Sequence, residues 1–415
     1  MTRLALLLML CLLYSCGTKA QEVLSQKRDT AYFAGKRKHV TIPFKLVHNL
    51  IIIPVKINNS TELNFILDSG VKNTLITRLY YSDSLNLNHT NKLYLNGLGT
   101  GYDIEAIHST GNTMSLPGIR GDNHEVYVLL EDIFNLSTRM GMPMHGIIGY
   151  DIFKNFVVKI NYSSKRLTLY RPDIYVKTKK RAEEYPLHLD KSKAYIFANI
   201  NQHNGDSLKV KLVIDTGASH SLSLYLPSDN RISLPPKVME AYLGRGLNGD
   251  INGKIGRLNS FKIGKYELLN LPASYPDKEA IQLAINLSNR NGNLGSEVLK
   301  RFDVLFDYPH KRLVLIPNKK FKEPFHYNLA GFEVSTPLPG TNLYIVSNVV
   351  DNSPAKQVGL QPGDQLLLIN GKSCSDLQLT EVLEMLESKP GRKLKMKLRR
   401  ESQEIDVNLV LQSRI

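Results

Sequence analysis

The chain repeats itself, and that repeat constrains its fold more than any other feature. Ile53-Pro54-Val55-Lys56-Ile57-Asn58 and Phe65-Ile66-Leu67-Asp68-Ser69-Gly70 are echoed by Phe197-Ala198-Asn199-Ile200-Asn201 and Leu212-Val213-Ile214-Asp215-Thr216-Gly217. Each copy reads as strand, polar turn and apolar strand, the pattern of a hairpin. Asp68 and Asp215 stand 147 positions apart. One residue short of that offset, Gly146-Ile147-Ile148-Gly149 aligns with Gly292-Asn293-Leu294-Gly295. Tyr162 and Lys165-Arg166-Leu167 then align with Tyr308 and Lys311-Arg312-Leu313. So many matches at one spacing identify a duplicated lobe. A looser echo pairs the glycine-rich segments Asn96–Gly101 and Gly244–Gly249, which read either as mobile hairpin tips or as ordinary loops.

Equivalent aspartates in two similar lobes imply an approximate two-fold axis that brings both carboxyls together. Carboxyls a few Å apart cannot both ionise cheaply, so they share a proton and titrate as a pair. One can then take a proton from water while the other donates to a carbonyl oxygen. After each aspartate comes a hydroxyl residue able to bond across the interface, Ser69 or Thr216, and then a glycine that permits close approach, Gly70 or Gly217.

At these residues the chain resembles the retropepsin-like aspartic proteases in a duplicated, single-chain form. The resemblance runs over roughly residues 41–318. It implies a mostly β protein: two pseudo-symmetric β-barrel lobes forming a cleft, glycine-rich flaps over it, and cleavage of extended polypeptide. It also implies Asp68 and Asp215 as the catalytic pair, Ser69, Gly70, Thr216 and Gly217 as the support of their loops, and no cofactor. The sequence departs from the family pattern at Val71, where alanine is usual, and at Asn293, where an aliphatic residue is expected; either can mark a lobe that has drifted.

From Leu329 the composition changes. A strand, a helix capped by Ser353 with Pro354 in its first turn, an Asn370-Gly371 turn, the helical stretch 379–386 and two final strands follow in order. This segment, 325–415, resembles an α+β PDZ domain of the bacterial, protease-associated type. The resemblance implies that Leu329, Ala330, Gly331 and Phe332 form a loop whose N–H groups hold the carboxylate of a protein C-terminus, or receive an internal peptide. A module that only packs on the lobes is the competing reading.

The first residues read as a leader. A basic start and an apolar run too short to cross a bilayer end at Leu13-Tyr14-Ser15-Cys16-Gly17, which resembles a bacterial lipobox with Cys16 as the lipidated residue; a plain secretory signal is the alternative. The other cysteines, Cys11 and Cys374, leave the mature chain without a pair for a disulfide. The expected organisation is a signal peptide over 1–15, a tether over 16–40, lobes over 41–176 and 185–318, a connector over 177–184, and the PDZ-like module over 325–415. The expected setting is the bacterial envelope, with a lipid anchor in the membrane.

A net charge of +15 comes from dispersed lysines and arginines. With no zinc-finger spacing and no aromatic-basic RNA-binding pattern, nucleic acid is not an expected partner. His-Glu-x-x-His, Gly-x-Ser-x-Gly and phosphate-loop motifs are absent from the sequence. Two functions stay in view: an aspartic endopeptidase, and a non-enzymatic lipoprotein whose lobes and PDZ-like module act as a peptide-binding scaffold.

Overall fold

The structure, a computed structural model, describes residues 30–80, 83–99, 101–178 and 181–415. The expected signal peptide, Cys16 and the tether as far as residue 29 lie outside the described residues.

Each lobe is a closed six-stranded barrel, and the two barrels are wired alike. In lobe 1, Ile119–Leu129, Thr74–Ile76, Gly146–Ile148, Leu63–Leu67, Leu50–Ile57 and Ile104–Leu116 pair in a ring. In lobe 2 the ring runs Lys193–Asn201, Ser207–Ile214, Gly292–Leu294, Leu222–Leu224, Tyr266–Pro276 and Gly249–Ile263. Alternation selects the inward residues. Ile51, Ile53, Val55 and Ile57 point into barrel 1, while Ile196, Ala198 and Ile200 do the same in barrel 2. A closed ring leaves few free strand edges.

A third sheet joins the lobes. Its order is Glu183–Pro186, Arg312–Pro317, Phe302–Asp307, Val157–Asn161, Arg166–Tyr170 and His39–Pro43, three strands from each side. At its centre Val158 pairs with Phe306 and Ile160 with Val304. The repeat relates Val158 to Val304 and Ile160 to Phe306, so the pseudo-two-fold axis passes between these two strands.

Two boundaries differ from the sequence expectation. The tether does not extend to residue 40: Thr30–Phe33 is a strand paired with Ile119–Leu129, and Phe33 meets Phe156 edge-on at 5.4 Å. Its short alternation, Ala31 and Phe33 inward and Tyr32 outward, is hidden among basic neighbours. The connector is shorter too, because Glu183–Pro186 already pairs with Arg312–Pro317 in the shared sheet.

The C-terminal module is a sheet of Phe332–Ser335, Ile345–Val349, Gln365–Ile369, Lys393–Arg400 and Gln403–Val410, with helices Pro354–Gln357 and Leu379–Leu386. Ser353 caps the first helix, its hydroxyl accepting from the Lys356 N–H. Asn370 and Gly371 both take positive φ in the predicted turn. The module is not a pendant. Its core runs into the outer face of barrel 1, where Val47, Leu50, Ile52, Ile66, Leu136, Met140 and Met144 share one buried cluster with Phe332, Val334, Leu379 and Leu386. Strand Leu50–Ile57 is therefore apolar on both faces, as a strand covered on both sides must be. Burying each such side chain contributes about 1.5–3 kcal/mol, so several together hold the module firmly.

Candidate active site

Each aspartate ends an inner strand, and the later Gly-x-x-Gly element of its own lobe fixes it there. The Asp68 N–H donates to Ile148 O at 2.8 Å, and the Asp215 N–H donates to Leu294 O at 2.9 Å. Gly149 and Gly295 are required by close approach: a Cβ on Gly149 would lie 1.7 Å from Asp68 O, and one on Gly295 would lie 2.1 Å from His220 O. Asn293 takes the place of an aliphatic residue without disturbing this geometry. Val71 is accommodated as well. Its N–H donates to Asp68 O at 3.3 Å, as that of Ala218 does to Asp215 O at 3.4 Å.

The two loops grip each other across the axis. The Ser69 N–H donates to Thr216 Oγ1 at 2.9 Å, and the Thr216 hydroxyl donates to Leu67 O at 2.8 Å. Reciprocally, the Thr216 N–H donates to Ser69 Oγ at 3.1 Å, and the Ser69 hydroxyl donates to Ile214 O at 2.7 Å. Ser69 is 1% exposed and Thr216 is fully buried, so these four bonds form without competition from water.

The grip brings the two carboxyls together around the loop glycines: a Cβ on Gly70 would lie 3.1 Å from Asp68 Oδ1 and 3.2 Å from Asp215 Oδ1. The Gly70 N–H donates to Asp68 Oδ1 at 2.7 Å and the Gly217 N–H donates to Asp215 Oδ1 at 3.1 Å. Desolvation by burial, and then the charge of Asp215, hold the Asp68 carboxyl well above the usual carboxylate range; the Gly70 N–H opposes the rise. One proton shared between the two carboxyls is the chemical state this geometry favours.

Four groups around the pair were not singled out by the sequence reading: Lys193, His220, Tyr225 and Arg290. Lys193 acts on both carboxyls, and its own ammonium is pushed down, first by burial and then by Arg290. Burial holds the His220 imidazole below its ordinary value. Tyr225 and Arg290 reach the pair through Asn293. The departure at Asn293 was the one signal in the sequence, and it read as drift.

Both glycine-rich segments are hairpin tips. One closes the hairpin Thr90–Leu95 with Ile104–Leu116, and the other closes Val238–Gly246 with Gly249–Ile263. They meet: the Asn248 N–H donates to Leu98 O at 2.8 Å, and the N–H groups of Gly97 and Gly101 donate back to Asn248. Each tip lodges a leucine in the opposite lobe, Leu98 beside Tyr225 and Ile281, and Leu247 beside Ala106, Leu129 and Ile133.

In the C-terminal module, Leu329, Ala330 and Gly331 run into edge strand Phe332–Ser335, which Phe332 opens, and all four residues are buried. The Gly331 N–H donates to Asn328 Oδ1 at 2.8 Å. The edge strand and the second helix of the module both pack on lobe 1. Strand Phe332–Ser335 meets helix Leu136–Met140, and helix Leu379–Leu386 meets strand Lys45–Val47. The Thr336 N–H donates to Thr138 O at 2.9 Å. Beyond that same strand, Asn49 donates to Ser219 O at 2.9 Å and to Glu297 Oε2 at 2.8 Å, so lobe 1 touches both the module and the Asp215 loop.

Comparison with known proteins agrees with this geometry. A family model described as Aspartyl protease matches residues 53–152 and again 198–298, and one described as PDZ domain matches residues 345–400. The carboxy-terminal processing protease CtpA of Bacillus subtilis (strain 168) is 30% identical over 82 residues, which is 20% of this chain and 17% of that protein. The chain thus spans well under two thirds of that relative. With two matched copies, two matching barrels and one shared pair of aspartate loops, the chain is a duplicated, retropepsin-like member of the aspartyl protease family carrying a C-terminal PDZ domain.

Proposed function

We propose that the chain is an aspartic endopeptidase acting on extended polypeptide, with Asp68 and Asp215 as its catalytic pair. One observation carries the reading: the reciprocal Ser69–Thr216 grip brings the Asp68 and Asp215 carboxyls together, so that a Cβ on Gly70 would lie within 3.2 Å of both. In the reaction, the ionised carboxylate takes a proton from water as the oxygen attacks the peptide carbonyl carbon. The protonated carboxyl gives its proton to the carbonyl oxygen. Collapse of the resulting gem-diol sends the first proton to the leaving nitrogen and returns the second, and the C–N bond breaks. No covalent enzyme intermediate is formed.

The PDZ domain is read as a regulator of the cleft. A peptide docking beside strand Phe332–Ser335 and helix Leu379–Leu386 would compete with lobe 1, which packs on both. The expected leader over 1–15, followed by Cys16, supports a lipid-anchored protein of the bacterial envelope.

The test offers the full chain an unstructured polypeptide such as denatured casein, from about pH 2 to about pH 7, which covers the span over which shared-proton dyads titrate. Wild type is expected to cut. Asp68→Asn and Asp215→Asn are each expected to lose at least ~10³-fold in kcat/KM, because removing one member of a unit costs nearly as much as removing all. If none of the three cuts, the peptide-binding scaffold becomes the better reading. Retention of activity by either single variant would show a peptidase with a different catalytic pair.

A further inference from the structure

The pair is less symmetric than its backbone. We propose that Asn293 is a positioning residue: through a one-way hydrogen-bond chain from Arg290 and Tyr225, it keeps Asp215 as the ionised, water-activating carboxylate and leaves the shared proton on Asp68. This rests on the peptidase reading and adds to it a division of roles.

The direction of the chain follows from donor chemistry. A guanidinium has donors only. Arg290 Nη2 donates to the Tyr225 hydroxyl at 3.2 Å, so that hydroxyl's own hydrogen is free to point onward, and it donates to Asn293 Oδ1 at 2.9 Å. Accepting there fixes the amide. Its Nδ2 therefore faces the pair and donates to Asp215 Oδ2 at 2.9 Å. With the Gly217 N–H on Oδ1, both oxygens of Asp215 accept from N–H groups. Asp68 accepts one, from Gly70, and its second oxygen faces the glycine of the other loop, where a Cβ on Gly217 would lie 2.2 Å from Asp68 Oδ2. N–H donors stabilise the charged form of a carboxyl, so the more heavily bonded member ionises first.

Three residues make up the chain, and each is at most 8% exposed, so water does not weaken it. Among the described residues, lobe 1 offers Asp68 nothing equivalent. The residue corresponding to Asn293 is Ile147, which packs against the apolar cluster shared with the PDZ domain.

The other charged or titratable groups facing Asp215 do not make this choice. Lys193 acts on Asp68 as well as on Asp215. Burial disfavours the charged form of the His220 imidazole, and it raises the Tyr225 phenol. In the proposed step, the water proton goes to Asp215 while the Asp68 proton goes to the carbonyl oxygen.

The test is the pH profile of kcat/KM for cleavage of a fluorogenic peptide by the full chain, for wild type, Asn293→Leu and Tyr225→Phe. Losing a donor to a carboxylate raises its pKa, so the acid limb should move to higher pH. The expected displacement is about one pH unit in Asn293→Leu and less in Tyr225→Phe, the size of one charge-assisted hydrogen bond. Rates above the limb and KM should change little, which a generally loosened fold would not reproduce. Thermal melting of each variant shows whether it is folded, and if Asn293→Leu is not, Tyr225→Phe alone decides. An unmoved acid limb in a folded, active variant overturns the division of roles and leaves the peptidase standing. A wild type that does not cut overturns both.

Discussion

Lobe 1 and lobe 2 hold their aspartates with matching backbone bonds but surround them with different chemistry. In lobe 1, the helix before the Gly-Ile-Ile-Gly element is five residues long, Leu136–Met140, and turns outward onto the PDZ domain. In lobe 2, the corresponding helix Lys278–Ser288 has eleven residues; it packs on Tyr225 and the flap residue Leu98, and Arg290 follows it. One lobe has spent its variable segment on docking a module, and the other on polar control of the carboxyl pair. Duplication supplies the axis, and divergence around the axis supplies a direction for proton transfer.

The comparison can be broken most sharply at the two loop glycines. A Cβ on Gly217 would sit 2.2 Å from Asp68 Cγ, whereas one on Gly70 meets nothing nearer than Asp68 Oδ1 at 3.1 Å. Gly217→Ala should therefore displace Asp68 and cost about 10²-fold or more in kcat/KM, while Gly70→Ala costs no more than roughly 10-fold. Equal losses would mean that the loops are interchangeable after all.

The grip should behave in the opposite way. Ser69→Ala and Thr216→Val each strip hydroxyl bonds from buried backbone groups, and each should cost about 2–4 kcal/mol in urea unfolding. A gap between them larger than ~1 kcal/mol would show that the backbone bonds, too, are unequal.

The smallest effect expected is on stability against pH. Because the folded-state pKa of Asp68 is raised above its ordinary value, the folded chain binds more protons than the unfolded chain between those two values. Its contribution to stability is therefore present at low pH and is lost as pH rises through that window. Asp68→Asn should raise the melting temperature at neutral pH, and the gain should shrink toward pH ~4, near the ordinary carboxylate range. A gain that does not depend on pH would point to packing instead.

Much of this was legible in the chain before any coordinates. The repeat exposed both barrels, because matching apolar strands at a fixed offset have few other ways to bury themselves. Local patterns also marked the helix cap at Ser353, the Asn370-Gly371 turn and the two hairpin tips. Asn293 stood out, yet as a departure from a pattern it carried no sign of its partner. Tyr225 and Arg290 looked like ordinary residues. The strand Thr30–Phe33 escaped notice because four residues among lysines give too little alternation to read.

The sequence by itself determined what the backbone repeats dictate: two like barrels, two aspartates on an axis and a third module of PDZ type. Hairpins, turns and caps depend on neighbours a few residues away, and those are written in order. Tertiary structure alone decided which carboxyl receives the extra N–H, which face of barrel 1 meets the PDZ domain, and which lobe receives each flap leucine. These contacts join residues dozens to hundreds of positions apart, as in the 78 separating Asn293 from Asp215. Their direction depends on which donor faces which acceptor, and only the folded arrangement of side chains sets that.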